Sequence, residues 1–301
     1  MRAPANLTLK HLLLALLTIV IWGVNFVAIR IGLKDLPPLL LSALRFLLAA
    51  IPWVFFLPRP KAPLKFIVGY GVFTFAVQFG FLFGGIYLGF SPGLSSLVLQ
   101  IQVFFSMGLA ALFFHERPSL WKIGGSLISC MGIVIVGMHV DFDSTFVGLI
   151  FVILAALAWA TGNMFTKSLD AQSPLSLVVW GNLVALPFMI AATMIIEGPT
   201  LILSSLQNVS WPTVGAVIYI VYLSTHIGYG IWGFLIKSYP TSSVVPFTLL
   251  IPVVGFLSSS IFLGEDFTWW KLVASLFVMG GVVFNLLEKS VTVNVSKTQK
   301  L

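Results

Sequence analysis

Apolar blocks of about 20 residues recur along the whole chain and constrain its fold more than any other feature. A helix of roughly this length crosses a hydrocarbon core about 30 Å thick. The sequence therefore predicts an all-α integral membrane protein with ten transmembrane helices. Charges, prolines or turn residues bound the blocks, which fall at 10–31, 38–57, 64–89, 92–114, 119–137, 146–166, 174–196, 212–236, 241–263 and 268–287.

Composition agrees with this interpretation. Of the 301 residues, 59% are hydrophobic and only 8% are charged, so a water-soluble fold could not bury the apolar surface. The first block has no small-residue cleavage site, and we expect it to remain in the mature protein. Most connections are too short for a domain outside the membrane. The longest, around 198–211, is expected to lie along the membrane surface.

Lys and Arg residues predict the orientation, because positively charged loops stay in the cytoplasm. With Arg45 left out as part of a span, three of the sixteen fall on the far side, namely Arg30, Lys34 and Lys271. Both termini are then cytoplasmic. Because the basic residues are scattered over short loops, they indicate no nucleic-acid partner. The predicted cytoplasmic residues are Arg2, Lys10, Arg59, Lys61, Lys65, Arg117, Lys122, Lys167, Lys237, Lys289, Lys297 and Lys300.

Two segments of the chain resemble each other, which indicates an internal repeat. Trp22–Arg30 reads WGVNFVAIR and Trp159–Lys167 reads WATGNMFTK, at a shift of 137 residues. Later in each half Glu-x₄-Trp-Lys recurs, and Gly132 falls on Gly281 at a shift of 149.

The repeat predicts two five-helix units with opposite orientations in the membrane, since an odd number of spans inverts the second unit. The units cover 10–138 and 146–288, and 289–301 forms a cytoplasmic tail. Inverted repeats are typical of secondary transporters, in which two similar halves exchange conformations around a central site.

Five separated segments resemble the EamA-type drug/metabolite transporter family. They are WGVNF, WATGNMF, PPLLLSALRF, SLVLQIQVFF and IGYGIWG, and the similarity covers nearly the whole chain. The resemblance implies two EamA domains in a bacterial inner membrane. It also implies export of amino acids or related metabolites, such as cysteine and O-acetylserine. His226 departs from the apolar residue expected there, so substrate range and coupling need not carry over. A multidrug or other metabolite exporter of the same fold is the alternative, and a channel is less favoured.

Arg45 is the strongest candidate for binding substrate, because ionisable groups at membrane depth are expensive unless they face a partner or a wet cavity. It lies about 10 Å into the second block at 1.5 Å per residue. Its guanidinium could bind a substrate carboxylate, or it could tie neighbouring helices together through their carbonyl groups.

Trp22 with Asn25 in the first block, and Trp159 with Asn163 in the sixth, are expected to face a shared central cavity. Trp offers a wall for substrate, and Asn offers both a donor and an acceptor. Hydrogen bonding between helices is the simpler alternative for both asparagines. Arg30 and Lys167 are interpreted as anchors at the membrane interface.

Gln78 and Gln100 are further substrate-binding candidates, each with bridging between helices as the alternative. Gln102 points about 200° away from Gln100 on the same helix, so only one of the two can line a cavity, and we favour Gln100. His226 and Tyr229 lie on one stripe of the eighth block, which is either a substrate path or ordinary aromatic packing.

All nine acidic residues fall at block ends or in loops, so no carboxylate within the membrane is available for proton coupling. Glu116 and Glu265 are predicted to position loops. No H-E-x-x-H pattern or intramembrane Asp pair is present, so we expect no enzyme activity, no metal and no cofactor. The expected partners are a small-molecule substrate and the lipid bilayer. The sequence leaves open a monomer or a homodimer.

Overall fold

Helices make up the regular structure of the part of the chain that is described. The structure is a computed structural model that describes residues 8–114, 120–139, 144–166, 174–239 and 244–298. The helices are α1 (Leu9–Gly32), α2 (Pro38–Ala50), α3 (Leu64–Tyr87), α4 (Pro92–Phe113), α5 (Leu120–His139), α6 (Ser144–Thr166), α7 (Pro174–Ala192), α8 (Gly198–Gln207), α9 (Trp211–Leu235), α10 (Ile251–Leu263) and α11 (Trp269–Thr298).

Seven segments of the described ranges are long and apolar enough to cross a membrane. They coincide with seven of the predicted blocks and make the chain a multi-pass membrane protein. α5 and α10 and the first part of α11 are also apolar but shorter, so their spanning of the membrane stays a prediction. The seven are Leu9–Gly32, Pro38–Phe55, Leu64–Tyr87, Pro92–Phe113, Thr145–Phe165, Pro174–Gln207 and Trp211–Leu235.

Two helix ends differ from the sequence prediction, and one connection contains a helix that was not predicted. The third block ends at Tyr87, where Gly89 with φ of +95° turns the chain toward α4. The connection expected along the surface contains α8, which begins at Gly198 with φ of +78°, a value that favours glycine. The predicted tail from 289 is helical as far as Thr298, since α11 continues into it.

Proline lies in the first turn of α2, α4, α7 and α9. Its ring presets φ for a helix, and its missing N–H would have had no partner within the helix at that position. These prolines explain why the apolar sequence divides into separate helices where it does.

Long-range helix contacts build one bundle. α5 packs most extensively against α11, α3 against α6, α1 against α10 and α9, α2 against α7, and α4 against α10 and α6. Phe26, Phe46, Phe75 and Phe83 belong to the buried core between these helices.

The bundle has two ends, named here by one residue each. The Asp35 end holds the C-terminus of α1 and the N-termini of α2, α4 and α9. Hydrogen bonds join α1 to the start of α9, the chain after α7 to the start of α2, and the chain after α10 to the start of α4. The Lys65 end holds the N-terminus of α3 and the chain just after α2. There Trp180 Nε1 of α7 donates to Leu57 O.

Candidate substrate-binding site

Arg45 is buried in the middle of the bundle and is only 1% exposed. Its guanidinium carbon lies 3.8 Å from the centroid of the Phe79 ring. Nε and Nη1 are buried and have no hydrogen-bond partner among the described residues. A buried cation without such partners is costly, and an anionic group beside it would offset that cost.

Aromatic rings pack around Phe79, the ring that Arg45 contacts. Phe46 of α2 packs edge-on against Phe75 and Phe79 of α3, with centroids 6.1 and 6.2 Å away. Tyr229 of α9 contacts Phe75 at 6.5 Å and Trp22 of α1 at 5.2 Å. These rings form an apolar wall that excludes water and strengthens electrostatic interactions beside the guanidinium.

Two of the helices that contribute rings to this wall, α3 and α9, contain a π-helical stretch. α3 is π-helical over Val72–Val77, just before Gln78 and Phe79, and α9 over Tyr219–Gly228, just before Tyr229. The wider turn rotates the residues that follow relative to a regular α-helix. Such stretches occur frequently at functional sites.

Two amide oxygens near the same depth also lack partners. Asn25 Oδ1 and Gln78 Oε1 are buried and have no hydrogen-bond partner in the described part of the chain, and the two side chains are 7% and 3% exposed. A buried acceptor without a donor is destabilising unless a ligand supplies one. The pair therefore offers two uncharged acceptors to a molecule that carries N–H or O–H groups.

Asn25, Arg45 and Gln78, called the central polar set, share one depth band. Asn25 lies seven residues before the end of α1, and Arg45 seven residues after the start of α2. Gln78 lies nine residues before the end of α3, which packs against both helices. At 1.5 Å per residue all three lie about 10 to 14 Å from the Asp35 end.

Trp22 and Gln100 are tied to backbone carbonyls. Trp22 Nε1 donates to Ser224 O of α9 at 3.2 Å. Gln100 Nε2 donates to Thr248 O, just before α10, at 3.1 Å. The Gln100 contact is the bridging between helices that the sequence left as an alternative for this residue, and Trp22 makes a contact of the same kind. They leave the Trp22 ring as part of the aromatic wall.

Asn163 of α6 lies in a second polar group, whose other members come from α4. Its Nδ2 donates to Gln102 Oε1 at 3.2 Å and is 3.4 Å from Ser106 Oγ. Trp159 is partly buried against the core one turn earlier. Gln102, which the sequence set aside in favour of Gln100, is thus the α4 glutamine that meets Asn163. The two glutamines differ in which one faces α6, and the sequence alone does not show where α6 lies.

His226 joins α9 to α2. Its Nδ1 lies 2.9 Å from Val221 O and its Nε2 3.0 Å from Ala49 O, and its ring lies over Trp53. Since both ring nitrogens contact carbonyl oxygens, this arrangement leaves neither directed at a substrate. A neutral imidazole has one N–H and can donate to only one of the two carbonyls.

At the Asp35 end, Asp35 caps the N-terminus of α9. Its Oδ2 accepts from Ser210 N at 2.9 Å, Ser210 Oγ at 2.5 Å and Thr213 Oγ1 at 2.6 Å. The hydroxyl of Ser210, then that of Thr213, then the Ser210 N–H lower the pKa of Asp35 below its ordinary value of 3.8. Hydrogen bonds to the ionised form cause this shift.

Glu197, after α7, caps α2. Its two carboxylate oxygens accept from Leu39 N at 2.7 Å and Leu40 N at 2.9 Å, and Thr193 Oγ1 also donates to it. A carboxylate at a helix N-terminus satisfies N–H groups that have no partner within the helix and complements the helix dipole.

Glu265, after α10, holds the start of α4 by accepting from Ser91 Oγ at 2.5 Å. This contact agrees with the loop-positioning role expected of it. Arg30 Nη1 donates to Ile86 O at 3.1 Å near the end of α1, consistent with an anchor. Glu116 and Lys167 lie outside the described residues. Within those residues, no group of three His, Cys, Asp or Glu side chains could hold a metal ion.

Comparisons with known proteins agree with the fold. The EamA-like transporter family model matches residues 9–138 and 146–287. A probable amino-acid metabolite efflux pump of Salmonella typhimurium is 41% identical over 91% of this chain and 93% of its own length. One of Escherichia coli is 38% identical over 92% and 95%.

A solved crystal structure superposes with a TM-score of 0.60 over 91% of this chain and 95% of its own, at 18% identity, which supports the fold alone. The family match covers most of the sequence in two stretches, and the two efflux pumps align over nearly their whole length. The chain therefore belongs to the EamA-like transporter family, whose members are transporters rather than enzymes.

Proposed function

We propose that this protein is an inner-membrane secondary transporter that exports amino acids or related small metabolites by alternating access. The observation that carries the substrate class is Arg45, a buried cation with two nitrogens that lack hydrogen-bond partners. A substrate carboxylate would supply the missing acceptor and the missing charge. The relatives named as probable amino-acid metabolite efflux pumps support the same class.

The proposed architecture is ten membrane-spanning helices in two inverted repeats, 10–138 and 146–288. The contacts between helices support this architecture. In it, each helix of the first half corresponds to one of the second: α1 to α6, α2 to α7, α3 to α9, α4 to α10 and α5 to α11. Exchanging corresponding helices converts the α1–α9 contact into α6–α3, α1–α10 into α6–α4 and α3–α7 into α9–α2, all of which occur. It leaves α2–α7, α4–α10 and α5–α11 unchanged, as a two-fold axis between the halves requires.

Glycine contacts between α5 and α11 support the same axis in atomic detail. A Cβ added at Gly132 would approach Ala274 O at 2.8 Å, and one added at Gly281 would approach Gly125 O at 2.3 Å. The shift of 149 residues that places Gly132 on Gly281 also places Gly125 on Ala274. Each contact is thus the counterpart of the other.

The orientation follows from the basic loops, which put the Lys65 end and both termini in the cytoplasm. The Asp35 end then faces the periplasm. There Asp35, Glu197 and Glu265 each join the first half to the second. Opening of that end, which export requires, would separate some of these contacts while the substrate is held by the central polar set.

The test uses purified full-length protein in proteoliposomes loaded with labelled L-cysteine or O-acetyl-L-serine, with and without a pH gradient. We expect efflux that exceeds protein-free vesicles and that is lost in Arg45→Gln. Arg30→Gln is the matched control, because Arg30 already donates to Ile86 O, and it should keep its efflux.

Two results would contradict the proposal. If well-folded protein exports neither amino acid with or without the pH gradient, the assignment of amino acids as the substrate class is wrong. Preferential efflux of a cationic dye such as ethidium, with no amino-acid efflux, would favour the multidrug alternative. Comparing efflux with and without the gradient separates proton coupling from facilitated export.

A further inference from the structure

We infer that the transported molecule is an α-amino acid bound as a zwitterion, with its carboxylate at Arg45 and its ammonium group at Asn25 Oδ1 and Gln78 Oε1. The inference rests on the proposed function and specifies its substrate class and the residues that select it. Its basis is that the unpartnered atoms of the central polar set are of two opposite kinds.

The carboxylate half of the site is the guanidinium edge. With Phe79 under the flat face of Arg45 at 3.8 Å, the N–H groups project in the plane of the guanidinium, away from the ring below. Nε and Nη1 are both donors without acceptors. Arg has no acceptor atoms, so only an electron-rich group such as a carboxylate can satisfy it.

The ammonium half needs acceptors, because an ammonium group carries three N–H donors and no acceptor. Asn25 Oδ1 and Gln78 Oε1 are acceptors without donors. Both oxygens are uncharged, so neither forms an ion pair with Arg45. A carboxylate in either position would favour pairing with Arg45 and compete with the substrate's own carboxylate.

Depth supports a single small ligand. The three residues lie about 10 to 14 Å from the Asp35 end, on α1, α2 and α3, and α3 packs against both of the other helices. The rings of Trp22 and Tyr229 close the adjoining wall, and an ammonium group is also attracted to such faces. Neither a simple organic acid nor a cationic drug would satisfy both kinds of atom.

Competition against efflux of labelled L-cysteine tests the inference. The competitors are unlabelled L-cysteine and 3-mercaptopropionate, the same molecule with hydrogen in place of the amino group. In the wild type, cysteine should compete at least about tenfold better, because the buried oxygens are left unpaired by the analogue. In Asn25→Leu and Gln78→Met that preference should fall toward one, with competition by the analogue retained.

Asn182→Leu is the matched control. Asn182 is another buried amide whose Oδ1 lacks a partner, but it lies eight residues into α7 from the Lys65 end. This variant should keep the preference. Equal competition by both compounds in the wild type would overturn the inference, as would equal loss of preference in Asn182→Leu and Gln78→Met. Absence of any amino-acid efflux in the wild type would instead contradict the proposed function itself.

Discussion

Polar groups at the Asp35 end and polar groups in the middle of the bundle are treated in opposite ways. At the end, Asp35 and Glu197 accept hydrogen bonds from helix N-termini that are between 157 and 178 positions away in the sequence. In the middle, Arg45, Asn25 and Gln78 carry buried atoms that find no partner within the ranges the structure describes. An unpaired polar atom costs more free energy in the middle of the bundle than at its end, because the middle is farther from water.

We interpret this difference as a division of roles, in which the Asp35 end holds helices together and the middle of the bundle binds substrate. A sequence that finds distant partners for its carboxylates has the means to satisfy its buried polar groups. Unpartnered donors and unpartnered acceptors at one depth therefore support the ligand site proposed there. The comparison predicts that changes at the Asp35 end lower stability and spare substrate selection, whereas changes in the middle remove transport and spare stability.

The largest effect is expected for Arg45→Gln. Efflux should fall at least about 100-fold, equivalent to about 2.7 kcal/mol, because a charged hydrogen-bonded partner of the substrate is removed. The melting temperature should stay the same or rise, since an uncompensated buried charge is also removed. Thermal unfolding in detergent and efflux assays together check this. A large fall in melting temperature would mean that Arg45 supports the fold.

Glu197→Ala comes next, with a loss of about 2 kcal/mol in stability, because two N–H groups at the start of α2 lose a charged acceptor. Thermal unfolding measures it. Asp266→Ala, at an exposed acid, should change stability little. The preference for cysteine over 3-mercaptopropionate should survive in Glu197→Ala. A changed preference would contradict the separation of the two regions.

Ser91→Ala should lower stability by about 1 kcal/mol, the usual effect of losing an N-cap. The hydroxyl accepts from Leu94 N at 3.2 Å and donates to Glu265. The matched control is Ser204→Ala, since Ser204 is exposed and its hydroxyl donates only within α8. Equal melting temperatures for the two variants would show that Ser91 is no cap.

Asp35→Asn should have the smallest effect, because this carboxylate lies near solvent, and the effect should depend on pH. The folded pKa lies below 3.8, so the stability due to ionisation is fully present above that value. It is lost as the pH falls through the lowered pKa. The difference in melting temperature between wild type and variant should therefore be constant near neutral pH and vanish in acid. A difference in melting temperature that grows in acid would contradict a folded-state pKa of Asp35 below 3.8.

Much of the fold was predictable, because apolar blocks and prolines at helix starts are local signals. Arg45 and Asn25 were predictable as polar residues inside a span, since their polarity is visible in the sequence, and their role in binding substrate stays a prediction. The pairing of Asn163 with Gln102 was not, because two residues two positions apart on α4 differ only in which neighbour they face. The caps provided by Asp35 and Glu197 depend on partners distant in sequence, which no local pattern reveals.

The paired glycine contacts of α5 and α11 have a consequence for the history of the gene. If one ancestral five-helix protein once met an antiparallel copy of itself, the counterparts of Gly132 and Gly281 were a single codon. Any mutation there struck both sides of the interface at once. After duplication and fusion, each side could drift alone. On the proposed repeat, residues that differ between the two halves, such as Gly125 and Ala274, would record that freedom.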